Sequence, residues 1–215
     1  MRTSLLARSG QRVAPAGRSR PSILAQARPG VHKPEPQSTV RRLILLRHAD
    51  SDGAPEGVRD HDRPISALGR KQAASVASLL AARGWLPDLV LASNSRRTKQ
   101  TLDEMQEVMQ ELADTDAHYY GSLYTVAALD GQTREHLTEC LLEVADDRRT
   151  MCVMAVGHNK GWEEAASQLA GQAVKLRPAS AALLQSAAAA GASWRDVMAE
   201  GAAWELVALL VPQPA

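Results

Sequence analysis

Hydrophobic residues come in two rhythms along this chain. Short unbroken apolar runs, bounded by polar residues, occur at 43–46, 89–92 and 151–156. Runs of that length read as strands buried on both faces, which is how parallel sheets look in sequence. Between them, apolar positions recur at helical spacing. Ala73, Val76, Ala77 and Leu80 form one stripe of a helix predicted over 67–83, with Ser66 as its cap and Gly84 at its end. Leu102, Met105, Met109 and Leu112 line a second helix that follows the capping run Ser93-Asn94-Ser95. Leu137, Cys140, Leu141 and Val144 mark a third over 132–146, and Trp162, Ala165, Ala166 and Leu169 a fourth after His158. Weaker strand candidates lie at 181–185 and 204–211. A sheet-edge strand is read at 117–120, inside an otherwise plain connection between the second and third helices. The alternation predicts an α/β three-layer sandwich, a mostly parallel central sheet with helices on both faces.

Two of the buried runs end in histidine. The first finishes Leu46-Arg47-His48 and the second Val156-Gly157-His158. In an open parallel sheet, ligands bind beyond the carboxyl ends of the strands. Both imidazoles therefore belong at the edge where such a sheet does chemistry. Arg97 lies in the first turn of the helix after run 89–92, so two guanidiniums and a helix N-terminus reach the same edge. Guanidinium forks and free backbone N–H groups together suit a phosphoryl group. A lone histidine after a strand is more often a satisfied core residue. Two histidines with two arginines are harder to explain that way. Neutral imidazole attacks phosphorus well, and nearby positive charge keeps it unprotonated. Fixed cationic donors then stabilise the charge spread over the equatorial oxygens.

Composition narrows the field. The chain has 215 residues, enough for one domain with a full core. Aromatics are 3% and Phe is absent, so Leu, Val, Ala and Met must fill that core. The formal net charge of +1 hides an asymmetry: residues 1–38 hold seven of the 25 basic residues and one of the 24 acids. The remainder carries 18 basic and 23 acidic residues, a net charge of −5, which argues against general nucleic-acid binding. Residues 1–38, rich in Arg, Ser, Ala, Pro and Gln, lack the roughly 7–15-residue apolar centre of a secretory signal. They are predicted to be a transit peptide, chloroplast first and mitochondrion second, with a disordered tail as the bland alternative. Residues 39–215 form the predicted single catalytic domain. Cys140 and Cys152 make no C-x-x-C pair, and no apolar stretch approaches the ~18 residues of a membrane span.

Four segments in order resemble the histidine phosphatase superfamily, which includes the phosphoglycerate mutases. They are Leu46-Arg47-His48-Ala49-Asp50, Arg63-Pro64-Ile65-Ser66-Ala67-Leu68-Gly69-Arg70-Lys71-Gln72-Ala73, Ser93-Asn94-Ser95-Arg96-Arg97-Thr98-Lys99-Gln100-Thr101 and Gly157-His158-Asn159. Within it, the chain is most similar to the small SixA-type branch, named for a phosphohistidine phosphatase. The resemblance implies His48 as nucleophile, Arg47 and Arg97 as phosphate ligands and His158 as the second catalytic histidine. Arg63, Asn159 and Lys160 complete the expected substrate-binding set. Two departures stand out: Ala49 replaces the usual glycine after the first histidine, and Lys160 replaces a proline after the second. The larger branches carry a glutamate acid on an inserted loop. No counterpart is visible here, so Asp50 is the expected donor to the leaving group, with Asp62 behind it.

The expected enzyme is a metal-independent phosphatase with no cofactor, working through a phosphohistidine intermediate. Its partner is a phosphorylated protein or a small phosphate ester, and a monomer is expected. Neither the loop 49–65 nor the connection 113–132 is apolar enough to fold as a lid, which favours a bulky substrate. Three rivals remain. A metal hydrolase would use His48, Asp50, His61, Asp62 and His158, but helix-borne ligand spacing is missing. A mutase would need a covering insertion. A non-catalytic phosphate-binding module would not need every reacting group that this chain has.

Overall fold

Each apolar run becomes a strand. The computed structural model describes residues 40–53, 56–126 and 133–213. The strands are β1 (Arg42–Arg47), β2 (Leu89–Ser93), β3 (Asp116–Tyr120), β4 (Cys152–Gly157), β5 (Ala181–Ser186) and β6 (Trp204–Leu210). The helices are α1 (Ala67–Ala82), α2 (Arg96–Gln106), α3 (Ser122–Val126), α4 (Thr133–Val144), α5 (Gly161–Ala170) and α6 (Trp194–Met198). The expected transit segment, 1–38, lies outside the described residues.

One sheet holds all six strands in the order β3-β2-β4-β1-β5-β6. β1 pairs in parallel with β4, β4 with β2, and β2 with β3. β5 runs antiparallel to both β1 and β6. The mostly parallel three-layer arrangement is the one the sequence predicts.

Alternate residues feed two cores, one on each face. Leu43, Leu45, Val153 and Ala155 join Leu137 and Leu141 of α4, Trp162 and Ala166 of α5, and Trp194 of α6. Ile44, Leu46, Met154 and Val156 join Ala73, Val76, Ala77 and Leu80 of α1 with Leu102 and Met105 of α2. With no Phe, three tryptophans supply the bulk on the first face: Trp162, Trp194 and Trp204. Trp194 and Trp204 stack with ring centres 6.4 Å apart.

The last strand changes faces part-way. Leu183 pairs with Ala208 but Leu184 with Leu206, so Val207 is an extra, bulged residue. Trp204 and Leu206 pack on one core, Ala208 and Leu210 on the other. One inserted residue reverses the period-2 pattern, as a β-bulge must.

Two helix expectations need correction. The second helix ends at Gln106. Met109 and Leu112 are buried on the same core but belong to the following turn and a 3₁₀ segment, Gln110–Asp114. The stripe continued because the core face continued. The connection 113–132 also contains a helical turn, α3, that no stripe announced. Its five residues bury Leu123 and are too short for a 3.6-residue period to show.

The catalytic edge depends on close approach between elements. Ser66 caps α1 by accepting from Gly69 N–H at 2.9 Å. A Cβ at Gly69 would collide with the carbonyl oxygen of Asp50. Gly69→Ala should therefore displace the segment after His48. We expect a loss of about 1–3 kcal/mol in urea unfolding together with reduced turnover. Unchanged values of both would show that the segment moves aside freely.

Candidate active site

The two histidines meet because β1 and β4 end in register. Arg47 is level with Gly157, and His48 N–H donates to Gly157 O at 2.9 Å. Both imidazoles are buried and their ring centres lie 5.1 Å apart. Gly157 is required here for space: a Cβ would sit 2.5 Å from the Trp162 indole, which packs beneath it. Trp162 Nε1–H donates to Ala155 O at 3.0 Å and so fixes the start of α5 beside His158.

His48 presents one defined nitrogen. Its Nδ1 is 2.7 Å from Ala49 O. A carbonyl only accepts, so Nδ1 carries the proton and Nε2 keeps its lone pair. Arg97 Nε–H donates to that Nε2 at 3.2 Å. Burial lowers the pKa of His48, the Ala49 bond opposes this, and the charges of Arg97, Arg47 and Arg63 reinforce it, giving about 4. The ring is neutral at physiological pH.

His158 is neutral for the same reasons. Burial, then His48 and Arg97, push its pKa down to about 2. Ser93 Oγ accepts from Ser95 N–H and lies 2.8 Å from His158 Nε2, and Ser95 Oγ lies 3.5 Å from the same nitrogen. His158 Nδ1 is buried with no protein partner. Arg47 Nε and Arg63 Nε are buried and unpaired too. Arg47 is otherwise held by its Nη1 bond to Leu176 O at 2.8 Å. Two unpaired guanidinium donors and an unpartnered imidazole nitrogen beside the neutral His48 ring fit a tetrahedral oxyanion, and the group of charges fits phosphate.

Arg97 is held by a residue the sequence reading did not single out. Its Nη1 donates to Asp60 O at 2.6 Å and its Nη2 to Asp60 Oδ2 at 2.9 Å. Tyr124, carried in by α3, donates its hydroxyl to the same Oδ2 at 2.8 Å. The Tyr124 ring stands edge-on to His158 and to His61, 5.2 Å from each, and Arg97 lies over it at 5.7 Å.

The backbone after His48 is held by side chains from both helices on that face. Ala49 N–H donates to Thr101 Oγ1, Asp50 N–H to Gln72 Oε1 and Ile65 N–H to Gln100 Oε1, each at 3.0 Å. These three residues stand in the quoted motif segments, where nothing local marks them as loop anchors.

The other expected residues divide. Asp50 accepts from Ser66 Oγ at 2.6 Å. Arg63 faces Asp60 at 3.5 Å. Asn159 and Lys160 are exposed at the rim, where α5 begins. Asp62, the second choice for the leaving-group donor, binds Arg59. His61 has acceptors at both nitrogens, Asp62 Oδ1 at 3.0 Å and Asn94 Oδ1 at 2.8 Å, and these bonds raise its pKa. Among the described residues, no group of three or more His, Cys, Asp or Glu side chains is placed to hold a metal ion.

Comparison with known proteins identifies the family and the fold. The model of the histidine phosphatase superfamily (branch 1) matches residues 43–119. An uncharacterised chloroplastic protein of Arabidopsis thaliana is 45% identical over 177 residues, 81% of this chain and 79% of its own. A solved structure from Agrobacterium tumefaciens, bearing the name phosphohistidine phosphatase SixA, superposes with a TM-score of 0.61 at 26% identity. It covers 80% of this chain and 98% of its own. A protein of the same name from Nakamurella multipartitia gives 0.63 at 25% identity, over 81% and 98%. The fold and these relatives thus define a phosphatase. The chain belongs to the histidine phosphatase superfamily, in its SixA-type branch.

The depressed pKa of His48 has a direct readout. Below its pKa the ring is an imidazolium, and above it the neutral nucleophile. In NMR of histidine-labelled protein, the resonance lost in His48→Ala should titrate with a midpoint near 4. A midpoint above 6 would contradict the neutral, charge-surrounded site.

Proposed function

We propose that this protein is a metal-independent phosphohistidine phosphatase acting on a phosphoprotein. The observation that carries the reading is His48 itself. Its Nδ1 proton is committed to Ala49 O and its Nε2 lone pair faces Arg97. His48 Nε2 attacks phosphorus. Arg47, Arg63 and Arg97 hold the phosphoryl oxygens, and His158 Nδ1–H donates to one of them. Asn159 and Lys160 meet the substrate at the rim. The leaving group departs, and water then cleaves the phosphohistidine.

The choice of substrate rests on the leaving group. An alkyl phosphate ester needs a proton donor as its C–O–P bond breaks. Asp50 is engaged by Ser66, a contact better suited to fixing the loop than to proton delivery. At Asp60, burial favours the acid form, but hydrogen bonds from Tyr124 and Arg97 and the charge of Arg97 hold it below the usual carboxylate range. It is ionised at neutral pH and cannot donate. A phosphorylated imidazole that carries its own ring proton leaves without help. The names borne by the Agrobacterium and Nakamurella structures support the same substrate.

A chloroplast location is supported by the chloroplastic Arabidopsis relative and by the basic, acid-poor residues 1–38.

Three outcomes test these assignments. His48→Ala should fold yet lose several orders of magnitude in turnover, with substrate-derived phosphate trapped on wild type alone. Trapping on another residue would sink the nucleophile assignment. In a panel of phosphohistidine proteins, sugar phosphates and phosphoglycerates, kcat/KM should favour the proteins. A small metabolite ahead by about tenfold would point instead to a metabolite phosphatase. A fusion of residues 1–45 to a reporter should enter plastids and be cut, and a diffuse cytosolic signal would refute the address.

A further inference from the structure

The geometry points to Asp60 as the general base that takes a proton from the water hydrolysing the phosphoenzyme, with Tyr124 as its positioning residue. The inference rests on the phosphohistidine intermediate proposed above, and concerns only its second step.

Asp60 and the nucleophile share one guanidinium. Arg97 reaches His48 Nε2 through Nε and Asp60 Oδ2 through Nη2. A phosphoryl group on Nε2 therefore lies within one guanidinium width of a carboxylate. The Asp60 side chain is 51% exposed, so water reaches it from the open side of the site. Its Oδ2 takes two hydrogen bonds, from Tyr124 and Arg97. Among the described residues its Oδ1 faces only Arg63, at 3.5 Å, and keeps lone pairs for a water molecule. The two bonds at Oδ2 fix the carboxylate plane, and so the direction in which Oδ1 accepts.

The other basic groups are poorly suited to this step. Asp50 is bound to Ser66 and makes no bond to Arg97. His61 has both nitrogens engaged, by Asp62 and Asn94. His158 Nε2 is engaged by the Ser93 hydroxyl at 2.8 Å.

The step balances. A water lone pair forms the new P–O bond, and the P–N pair returns to His48 Nε2. His48 keeps its Nδ1 proton on Ala49 O, so it leaves as neutral imidazole. One water proton passes to Asp60 and then to solvent as phosphate departs. A phosphoryl dianion on Arg97 also offsets the positive charge that keeps Asp60 acidic, which makes the carboxylate more basic when it is needed. As a clamp alone, Asp60 would be counterproductive, since a carboxylate on the phosphate-binding guanidinium repels the dianion it is meant to hold.

The test separates the two chemical steps. Full-length wild type, Asp60→Asn, Tyr124→Phe and Asp50→Asn are mixed with 4-nitrophenyl phosphate. Nitrophenol release reports phosphorylation, and alkaline quenching with mass spectrometry reports the loss of phosphate from His48. Thermal melts check folding. Asp60→Asn should lower the dephosphorylation constant about 10²-fold or more, with phosphorylation changed only a few-fold, so that phosphoenzyme accumulates. Inorganic phosphate should inhibit it more tightly than wild type. Tyr124→Phe should move dephosphorylation in the same direction by a smaller factor, and it carries the test if Asp60→Asn does not fold. Equal slowing of both steps would show that Asp60 only orients Arg97 and would overturn the proposal. So would wild-type behaviour of both variants, or accumulation in Asp50→Asn instead. If wild type turns over without ever carrying phosphate on His48, the proposed function falls first and this inference with it.

Discussion

The whole arrangement depends on two parallel strands stopping at the same level. The His48 N–H bond to Gly157 O locks the ends of β1 and β4 together. That one register puts both imidazoles in the same small volume. A slip of one residue would turn every side chain of β1 to the opposite core. Leu43 and Leu45 on one face, and Ile44 and Leu46 on the other, make such a slip costly because all four are fully buried. The cores therefore do more than stabilise the domain: they set the distance between the two reacting rings. Gly157 adds a local condition, since only a residue without Cβ lets Trp162 close beneath the second histidine.

Burial at this edge opposes charge, and the site uses that opposition. Taking an imidazole out of water disfavours its protonated form, and three arginines nearby disfavour it further. The same arginines keep hydrogen-bonding capacity that the protein does not consume, at Arg47 Nε and Arg63 Nε. Gathering like charges without enough acceptors costs stability, and the surrounding helices offset it. Thr101, Gln72 and Gln100 hold the loop backbone, so the donors are already in position before any ligand arrives.

Much of this was legible because long-period signals survive in a single sequence. The buried runs gave β1, β2 and β4, and the Ala73-Val76-Ala77-Leu80 stripe gave α1 with its Ser66 cap. The histidines followed from standing at strand ends. Asp60 and Tyr124 did not. Asp60 shares a polar loop with Asp50, Asp52 and Asp62, and nothing local tells one carboxylate there from another. Only the position of Arg97, 37 residues further on, singles it out. Tyr124 rides on a five-residue helix with no periodicity to read, and it reaches the site only because α3 follows the last strand of the sheet edge. The misjudged end of α2 has the opposite cause: Met109 and Leu112 obey the stripe because the core surface continues past the helix.

The bulge at Val207 reaches beyond packing. β6 is an edge strand, and Val207 and Leu209 along it and Val211 just past its end are all exposed. A straight apolar edge of that kind is a template on which another extended chain adds itself. The extra residue breaks the even spacing of N–H and C=O groups and increases the local twist, so an incoming strand meets a ladder whose rungs do not line up. One residue thus fills both cores from a single strand and spoils the edge for uncontrolled assembly, a safeguard against aggregation written into the same backbone distortion.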